Sequence, residues 1–396
     1  MLQRKLKAAL AVPGEKRSDR FFRLFPWVWL AAAYCVTMLV LCLYGRNYID
    51  SDMASDMVLA ELLNQEGGVL STQWWYSTEL NVFCEQLVYR LGLALFPGDW
   101  YAARMVGQAF LLLLLILSYL YVGHGLRLKN CGAWGAAALA CPFGVCYLWY
   151  GLLGGFYFPY MTLLLVSFGS LLHLLRPASR KARLFHGAML MISSIMFGMN
   201  GLKGFMGFYI PMMLAAVVAL GLQWHLQPEG CPKRERRLVL FSLTAFLAAG
   251  IGYGVYSIVL LPSHKGLSYS NRMWNSLSLD ALLTKMTDFL SLFGYPIDSS
   301  VGGEVSLFSV EGLLCAFGLL TAGAIVFSLI RLLLHWRELD PIRRVAPLLF
   351  GAAWLVQSMI FAWTGQLTDT SPYTGLTILP LVFPVLQLEE IGRAHV

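Results

Sequence analysis

The sequence has little charge: only 13% of its 396 residues are Asp, Glu, Lys or Arg, whereas soluble domains usually contain about 25%. Hydrophobic residues make up 58% of the chain and aromatic residues 14%, and the mean hydropathy is +0.64. Intrinsic disorder is excluded, because disordered chains combine low hydrophobicity with high charge. The composition is that of a polytopic membrane protein and is not typical of a soluble enzyme.

Several common signatures are also missing. The eight cysteines form no CxxC pair and the seven histidines form no HExxH motif, so neither a disulfide framework nor a metal site is predicted. The basic residues recur between apolar runs and do not form one patch with interleaved aromatics, which argues against nucleic acid as a partner. No internal repeat is present.

Long apolar runs are what the sequence has in quantity. A helix needs about 20 mostly apolar residues to cross a bilayer. Nine complete runs are candidates, and a tenth begins near residue 375. The predicted fold class is therefore an all-α polytopic membrane protein, a bundle of about ten transmembrane helices. The complete predicted spans are 26–44, 102–122, 132–149, 152–175, 187–201, 205–223, 238–261, 311–334 and 346–364.

The basic residues orient the predicted bundle. If the N-terminus is cytoplasmic and the spans alternate, the inner segments hold 21 of the 29 Lys and Arg residues, as the positive-inside rule requires. This predicts a multi-pass protein of the cell membrane with a cytoplasmic N-terminus. Two long outer segments result, 45–101 and 262–310, and long ordered loops are usually functional.

The first outer segment carries helix signals. Ser51 or Asp52 can cap a helix with an acidic first turn, and Asp50 and Asp56 are equally plausible caps. The stretch 80–96 is mostly apolar, which predicts an interfacial helix with Glu85 on a solvated face. Arg104, at the start of the second span, is expected to pair with an acid at the helix junction.

The order of motifs in this segment is informative. The outer loop opens with the acidic motif Asp50-Ser51-Asp52, followed by a predicted helix over Met53–Gln65, a second helix ending at Leu95-Phe96-Pro97-Gly98, and the pair Ala103-Arg104. This order resembles the GT-C superfamily of membrane glycosyltransferases, which includes the protein O-mannosyltransferases and the lipid A aminoarabinose transferase. The resemblance covers about residues 26–125. Beyond them it rests on the span count and on Tyr373, Pro380 and Pro384.

The resemblance implies a GT-C-like domain over residues 1–389, with two long extracytoplasmic loops that carry interfacial helices. It also implies an enzyme that transfers a sugar from a polyprenyl-phosphate-linked donor to a glycan, lipid or protein acceptor on the outer face of the bilayer. An acceptor hydroxyl attacks the anomeric carbon and the lipid phosphate leaves. This chemistry needs a carboxylate base and a cation near the phosphate.

Alignment with the family places Asp52 on the catalytic aspartate, so Asp52 is the candidate base, whereas the residues alone favour a helix cap. Lys203, between glycines at an outer turn, is the candidate for binding the donor phosphate; the alternative is a lysine that snorkels to the interface. Asp50, Glu79 and Arg272 are weaker substrate-binding candidates. Glu79 can also bind a divalent cation, and no other cofactor or metal site is predicted.

The last seven residues, 390–396, can be encoded by the start of a widely used short-read sequencing adapter. We therefore expect this tail to be foreign to the natural protein and the GT-C-like domain to be truncated at its C-terminal side.

Two functions of other classes stay open. One is a transporter or flippase of lipid-linked glycans, and the other is a non-catalytic membrane protein of envelope assembly. Transporters often contain inverted repeats and broken helices at the midplane. The sequence contains no repeat, and its main polar cluster falls in an outer loop, which favours the glycosyltransferase.

Overall fold

The computed structural model describes residues 17–76, 80–141, 144, 146–226, 233–266, 278–293, 309–364 and 372–392. These residues are mainly helical. The helices are α1 Arg17–Tyr44, α2 Ser51–Glu66, α3 Glu85–Leu95, α4 Trp100–Leu126, α5 Ala133–Ala140, α6 Phe158–Leu174, α7 Arg180–Met199, α8 Ile210–Leu226, α9 Lys233–Val255, α10 Leu279–Ser291, α11 Val310–Leu334, α12 Val345–Thr364 and α13 Val382–Gly392.

Short elements join these helices. Three stretches are π-helical, Tyr147–Leu153, Phe205–Tyr209 and Tyr256–Leu260, and a helical turn, Leu261–Ser263, follows the last of them. The 3-10 helices are Gly45–Tyr48, Lys129–Gly132, Trp336–Glu338, Pro372–Thr377 and Leu379–Leu381. Two short strands, β1 Trp75–Tyr76 and β2 Lys265–Gly266, pair in parallel with Trp75 opposite Lys265.

Seven helices within the described residues are long and apolar enough to cross a membrane. They are Leu24–Tyr48, Trp100–Leu126, Arg180–Met199, Phe205–His225, Lys233–Ser263, Ala316–Leu334 and Val345–Trp363. They correspond to seven of the nine complete predicted spans, and the tenth predicted run contains a shorter apolar helix, Leu379–Leu388. The chain is a helical, multi-pass membrane protein.

The predicted span 132–149 is not one continuous helix. Helix α5 ends at Ala140, and Cys141 is extended with φ −98° and ψ 144°. The next residue in the sequence is Pro142, and a residue before proline avoids the helical region. The π-helical stretch Tyr147–Leu153 then meets α6 at an angle of 83°. The two segments count as an eighth span only if they are taken together.

Helix α3 packs closely on α4, and glycines allow the contact. A Cβ atom at Gly92 would lie 2.0 Å from the carbonyl oxygen of Ala103, and one at Gly107 would lie 2.4 Å from Cδ1 of Tyr89. Real Cβ atoms do not approach other atoms so closely, so any larger residue at either position would force the helices apart. This packing seats the second loop helix against the bundle.

The connections between helices lie at two opposite ends of the bundle. Helix α4 runs from one end to the other, and its 27 residues span about 40 Å. At one end, the Arg343 guanidinium donates to the carbonyl oxygens of Leu126 and Arg127, both at 3.1 Å. At the same end, Arg234 Nη1 lies 3.6 Å from Asp340 Oδ1. We call this the basic end. The opposite end carries α2, α3 and the strand pair, and we call it the loop end.

Candidate functional site

The first loop helix, α2, begins at a capping aspartate. Asp50 Oδ1 accepts the backbone N–H of Met53 at 2.8 Å, and Asp50 Oδ2 accepts the indole N–H of Trp149 at 3.0 Å. The Asp50 backbone is extended, as an N-cap residue requires. Of the candidate caps, the structure therefore selects Asp50, and Ser51 and Asp52 do not cap this helix. Asp50 also ties the start of α2 to the π-helical stretch.

Asp52 lies in the first turn of α2, and its side chain is exposed at the loop end. The N-terminus of a helix is the positive end of its dipole and favours an ionised carboxylate. The candidate base is thus accessible from outside the bundle. One turn further along α2, Asp56 lies within electrostatic reach of Asp52.

Beneath this surface lie two acids, the buried Glu85 and the half-buried Asp56. Glu85, in the first turn of α3, is only 4% exposed, which overturns the expectation of a solvated face. Asp56 faces it from α2 closely enough for the two charges to interact. Among the described residues, neither Asp56 Oδ2 nor Glu85 Oε2 has a hydrogen-bond partner, although both atoms are buried. Buried polar atoms are normally paired, so these two oxygens are free to bind a proton or a ligand.

Burial and mutual repulsion change the acidity of this pair. Burial is the main cause that raises the pKa of Asp56 well above its ordinary value, and the charge of Glu85 adds to it. Burial also raises the pKa of Glu85 to about 7, against the opposing effects of its own backbone N–H, Arg104 and Lys203. A carboxyl group that titrates near neutral pH is suited to acid–base chemistry and is frequent at functional sites.

Arg104 is the buried cation of the loop end. It is 1% exposed. Its Nη1 donates to the Met53 carbonyl at 2.9 Å, and its Nη2 donates to the carbonyls of Leu153 at 2.8 Å and Gly154 at 3.0 Å. Sequence analysis expected an acid as its partner. The guanidinium instead bonds to backbone carbonyls and acts on the two acids at longer range. Arg104 thereby holds α2, α4 and the turn before α6 together.

Tyr89 and Gln108 complete the support of this turn. The Tyr89 hydroxyl donates to the Gly154 carbonyl at 2.9 Å and accepts from Gln108 Nε2 at 2.7 Å. Gln108 Nε2 also donates to the Leu153 carbonyl at 3.0 Å, and the Arg104 guanidinium stacks 4.8 Å above the Tyr89 ring. These two residues have no distinctive sequence signal, because each lies inside an ordinary amphipathic or apolar stretch.

Lys203 approaches the acids from the other side. It is partly buried at the turn between α7 and the π-helical stretch that precedes α8. Its Nζ lies 4.9 Å from the ring centre of Tyr160 and 5.6 Å from that of Tyr157. Its charge acts on Glu85. The predicted phosphate-binding cation and the buried acid pair therefore belong to one electrostatic cluster.

Asn200 fixes the segment that leads into α3. Its Oδ1 accepts the backbone N–H groups of Val82 at 3.0 Å and Phe83 at 2.8 Å, and its Nδ2 donates to the Phe83 carbonyl at 2.9 Å. The Tyr160 hydroxyl, beneath Lys203, donates to the side chain of Asn81. Sequence analysis did not find Asn200, because the segment it holds is 117 residues away in the chain.

The structure brings Asp50, Asp52 and Lys203 to the loop end, together with the unpredicted pair Asp56 and Glu85. Two further predicted residues, Glu79 and Arg272, lie outside the described residues. Within the part of the chain that the structure describes, no group of three or more His, Cys, Asp or Glu residues could hold a metal ion.

A scan of protein-family models and searches of curated proteins and of solved structures returned no match to this chain. The resemblance to the GT-C superfamily therefore rests on the residues quoted from the sequence.

Proposed function

We propose that the protein is a glycosyltransferase that moves a sugar from a polyprenyl-phosphate-linked donor to an acceptor at the outer face of the cell membrane. The observation that carries the proposal is the cluster at the loop end. Asp52 is an exposed carboxylate near the acid pair Asp56 and Glu85. Arg104 lies within electrostatic reach of both of these acids, and Lys203 within reach of Glu85. Lipid-linked sugars lie at this depth, with the lipid in the bilayer and the sugar at its surface.

In the proposed reaction, Asp52 accepts the proton of an acceptor hydroxyl. The hydroxyl oxygen forms a bond to the anomeric carbon, and the bond from that carbon to the phosphate oxygen breaks. Its electron pair leaves with the lipid phosphate. Lys203 would offset the charge that develops on this leaving group.

The other residues of the cluster would position Asp52. Asp50 caps α2 and fixes its first turn against Trp149. Arg104 bonds to the Met53 carbonyl, one residue after the candidate base. Asp52 and Asp56 interact, and protonation of Asp56 removes a neighbouring negative charge.

The variant Asp52→Asn tests the base. Asparagine keeps the shape of the side chain but cannot accept the proton, so we expect sugar transfer to fall by about 10²- to 10⁴-fold with little change in thermal stability. Membranes that contain the protein are supplied with labelled polyprenyl-phosphate hexoses, pentoses and amino sugars, and labelled product is measured. Asp56→Asn is the matched control on the same helix and should keep most of the activity.

Wild-type transfer by Asp52→Asn would remove Asp52 from the chemistry. No transfer from any donor by the wild-type protein would count against a glycosyltransferase. Movement of an intact lipid-linked glycan between leaflets would instead support a transporter.

The proposal also requires the loop end to face outward, with the basic end and the N-terminus in the cytoplasm. Cysteines introduced at exposed sites test this with an impermeant thiol reagent on intact cells. Thr72→Cys at the loop end should react above the level of the parent chain, and Lys181→Cys at the start of α7 should react only after lysis. Thr72 is exposed, whereas its neighbour Ser71 is buried and would not be accessible to the reagent. The reverse pattern would invert the topology.

A further inference from the structure

Arginines from separate connections converge at the basic end. Arg127 follows α4, Arg176 follows α6, Arg234 lies in the first turn of α9, and Arg343 and Arg344 precede α12. Among the described residues, the acids within electrostatic reach of Arg176 and Arg344 are Asp340 and Glu235. Asp340 acts on both of these arginines, and Glu235 acts on Arg344.

Two of the arginines are held by the backbone. Arg343 donates to the carbonyls that end α4. Arg344 Nε donates to the Leu339 carbonyl at 3.0 Å, and its guanidinium lies 5.6 Å from the ring centre of Trp336. Their positions are therefore set without an anion. The charge of Arg343 still acts on Arg176.

Arg176 and Arg234 have N–H groups that could donate hydrogen bonds to a ligand. The Nε atom of Arg176 is buried and has no hydrogen-bond partner among the described residues. Arg234 contacts Asp340 at 3.6 Å, longer than a hydrogen bond. Partial burial, followed by the charges of Arg127, Arg343 and Arg234, lowers the pKa of Arg176, and Asp340 opposes this. A bound anion would reduce the electrostatic repulsion among these arginines.

A narrow recess with apolar walls adjoins these arginines. Its apolar lining includes Leu175, Ala219, Leu222, Leu238 and Trp336, and its charged lining consists of the cations Arg234 and Arg344 and one acid, Glu235. Leu175 directly precedes Arg176 in the chain. An apolar wall beside a cationic rim matches an amphiphile whose head is an anion. Free phosphate would use the arginines but would gain nothing from the wall.

We propose that the basic end binds an anionic phospholipid, with its phosphate on Arg176 and Arg234 and its glycerol and upper acyl chains against the recess. Guanidinium groups bind phosphate oxygens with paired, charge-assisted hydrogen bonds. Basic pockets between transmembrane helices on the cytoplasmic side are known to accept such headgroups. The proposal does not depend on the function of the loop end.

Lipid binding to the purified protein in detergent tests the proposal. Phosphatidylglycerol and phosphatidylcholine are titrated separately, and bound lipid is counted by native mass spectrometry. We expect the wild-type protein to prefer phosphatidylglycerol by at least about tenfold. The double variant Arg176→Gln/Arg234→Gln should lose about 25-fold in affinity for it, about fivefold for each arginine.

The matched control is Arg180→Gln/Arg183→Gln, which removes the same charge from exposed positions at the same end. Its affinity should stay within about twofold of the wild type. The single variant Arg234→Gln, at a side chain that is 43% exposed, should fold normally and lose about fivefold. It keeps the test decisive if the double variant is unstable.

Three outcomes would overturn the proposal. Equal affinity for the two lipids would show that charge is not recognised. An equal loss in the control variant would assign binding to diffuse surface charge. Displacement of phosphatidylglycerol by 10 mM inorganic phosphate, together with equal binding of phosphate by the wild type without lipid, would identify a soluble anion as the ligand.

Discussion

The two ends of the bundle use similar charged residues in opposite settings. At the loop end, Arg104 is 1% exposed and Glu85 is 4% exposed, and Glu85 Oε2 and Asp56 Oδ2 are buried with no hydrogen-bond partner in the part of the chain that the structure describes. At the basic end, Arg234 and Asp340 are 43% and 40% exposed. Exposed ion pairs contribute little to stability, whereas an uncompensated buried charge is costly. The difference between the two clusters therefore comes more from burial, which shifts the pKa values of the acids at the loop end, than from the types of residue present.

The largest effect is expected at Arg104. Arg104→Gln removes a buried cation from two acids and breaks three hydrogen bonds, although Gln108 and Tyr89 still donate to the Leu153 and Gly154 carbonyls. We expect the free energy of unfolding to fall by about 3–5 kcal/mol. Denaturant titration in detergent measures it. Arg343→Gln at the basic end is the control and should cost about 1–2 kcal/mol for its two hydrogen bonds. Equal losses of unfolding free energy in the two variants would show that burial does not distinguish the two ends.

The next effect is a change in pH dependence. The pKa of Glu85 is about 7 in the folded protein and 4.5 in the unfolded chain. Folding therefore favours the protonated form, and its stabilising effect, complete below pH 4.5, is lost as pH rises through 7. Glu85→Gln stays neutral, so it should be more stable than the wild type by about 1–3 kcal/mol at pH 8.

At about pH 3.5, one unit below the pKa of the unfolded chain, the Glu85→Gln variant and the wild type should unfold alike, because the glutamate is then mostly protonated in both states. Melting temperatures across this range give the comparison. A constant offset between the two proteins at every pH would mean that Glu85 does not titrate in this window.

A smaller effect is expected for donor use. If Lys203 binds the leaving phosphate, Lys203→Ala should raise the KM for the lipid-linked donor by about tenfold, the lower end expected for a hydrogen bond to a charged group. Lys203→Arg should retain part of the affinity. Lys265→Ala is the control, because Lys265 also lies at the loop end, 5.8 Å from the ring centre of Trp75. An unchanged KM in Lys203→Ala would leave Lys203 a packing role on Tyr160.

The smallest effect belongs to the exposed pair at the basic end. A double-mutant cycle with Arg234→Ala and Asp340→Ala should give a coupling free energy of at most about 0.5 kcal/mol, and salt should reduce it further. Coupling as strong as that expected at Arg104 would mean that the basic end is as well shielded from solvent as the loop end.

The helical bundle followed from local properties of the sequence. Seven of the nine complete predicted spans correspond to apolar helices. The helix predicted over Met53–Gln65 lies within α2, Ser51–Glu66. The prediction failed at 132–149, where α5 ends at Ala140 and the extended Cys141 interrupts an apolar run. Hydropathy records composition and does not register a break of this kind, although Pro142 marks its place in the sequence.

The buried acids could have been found from spacing. Met53, Met57, Ala60 and Leu63 are buried and follow helical periodicity, and Asp56 falls on the same stripe of α2. Likewise Glu85 shares a stripe of α3 with Tyr89, Gly92 and Leu93. An acid that lies on the apolar stripe of a helix is expected to be buried, even though acids are usually exposed.

By itself, the sequence determined the spans, the helix-forming loop and the segregation of basic residues to one side, because each depends on neighbours in the chain. Only the tertiary structure decided which charges are buried, which carbonyls Arg104 reaches and which segment Asn200 holds. These contacts join residues 49 to 118 positions apart. Their energies depend on solvent exclusion, which arises when separate helices pack and is not a property of any one segment.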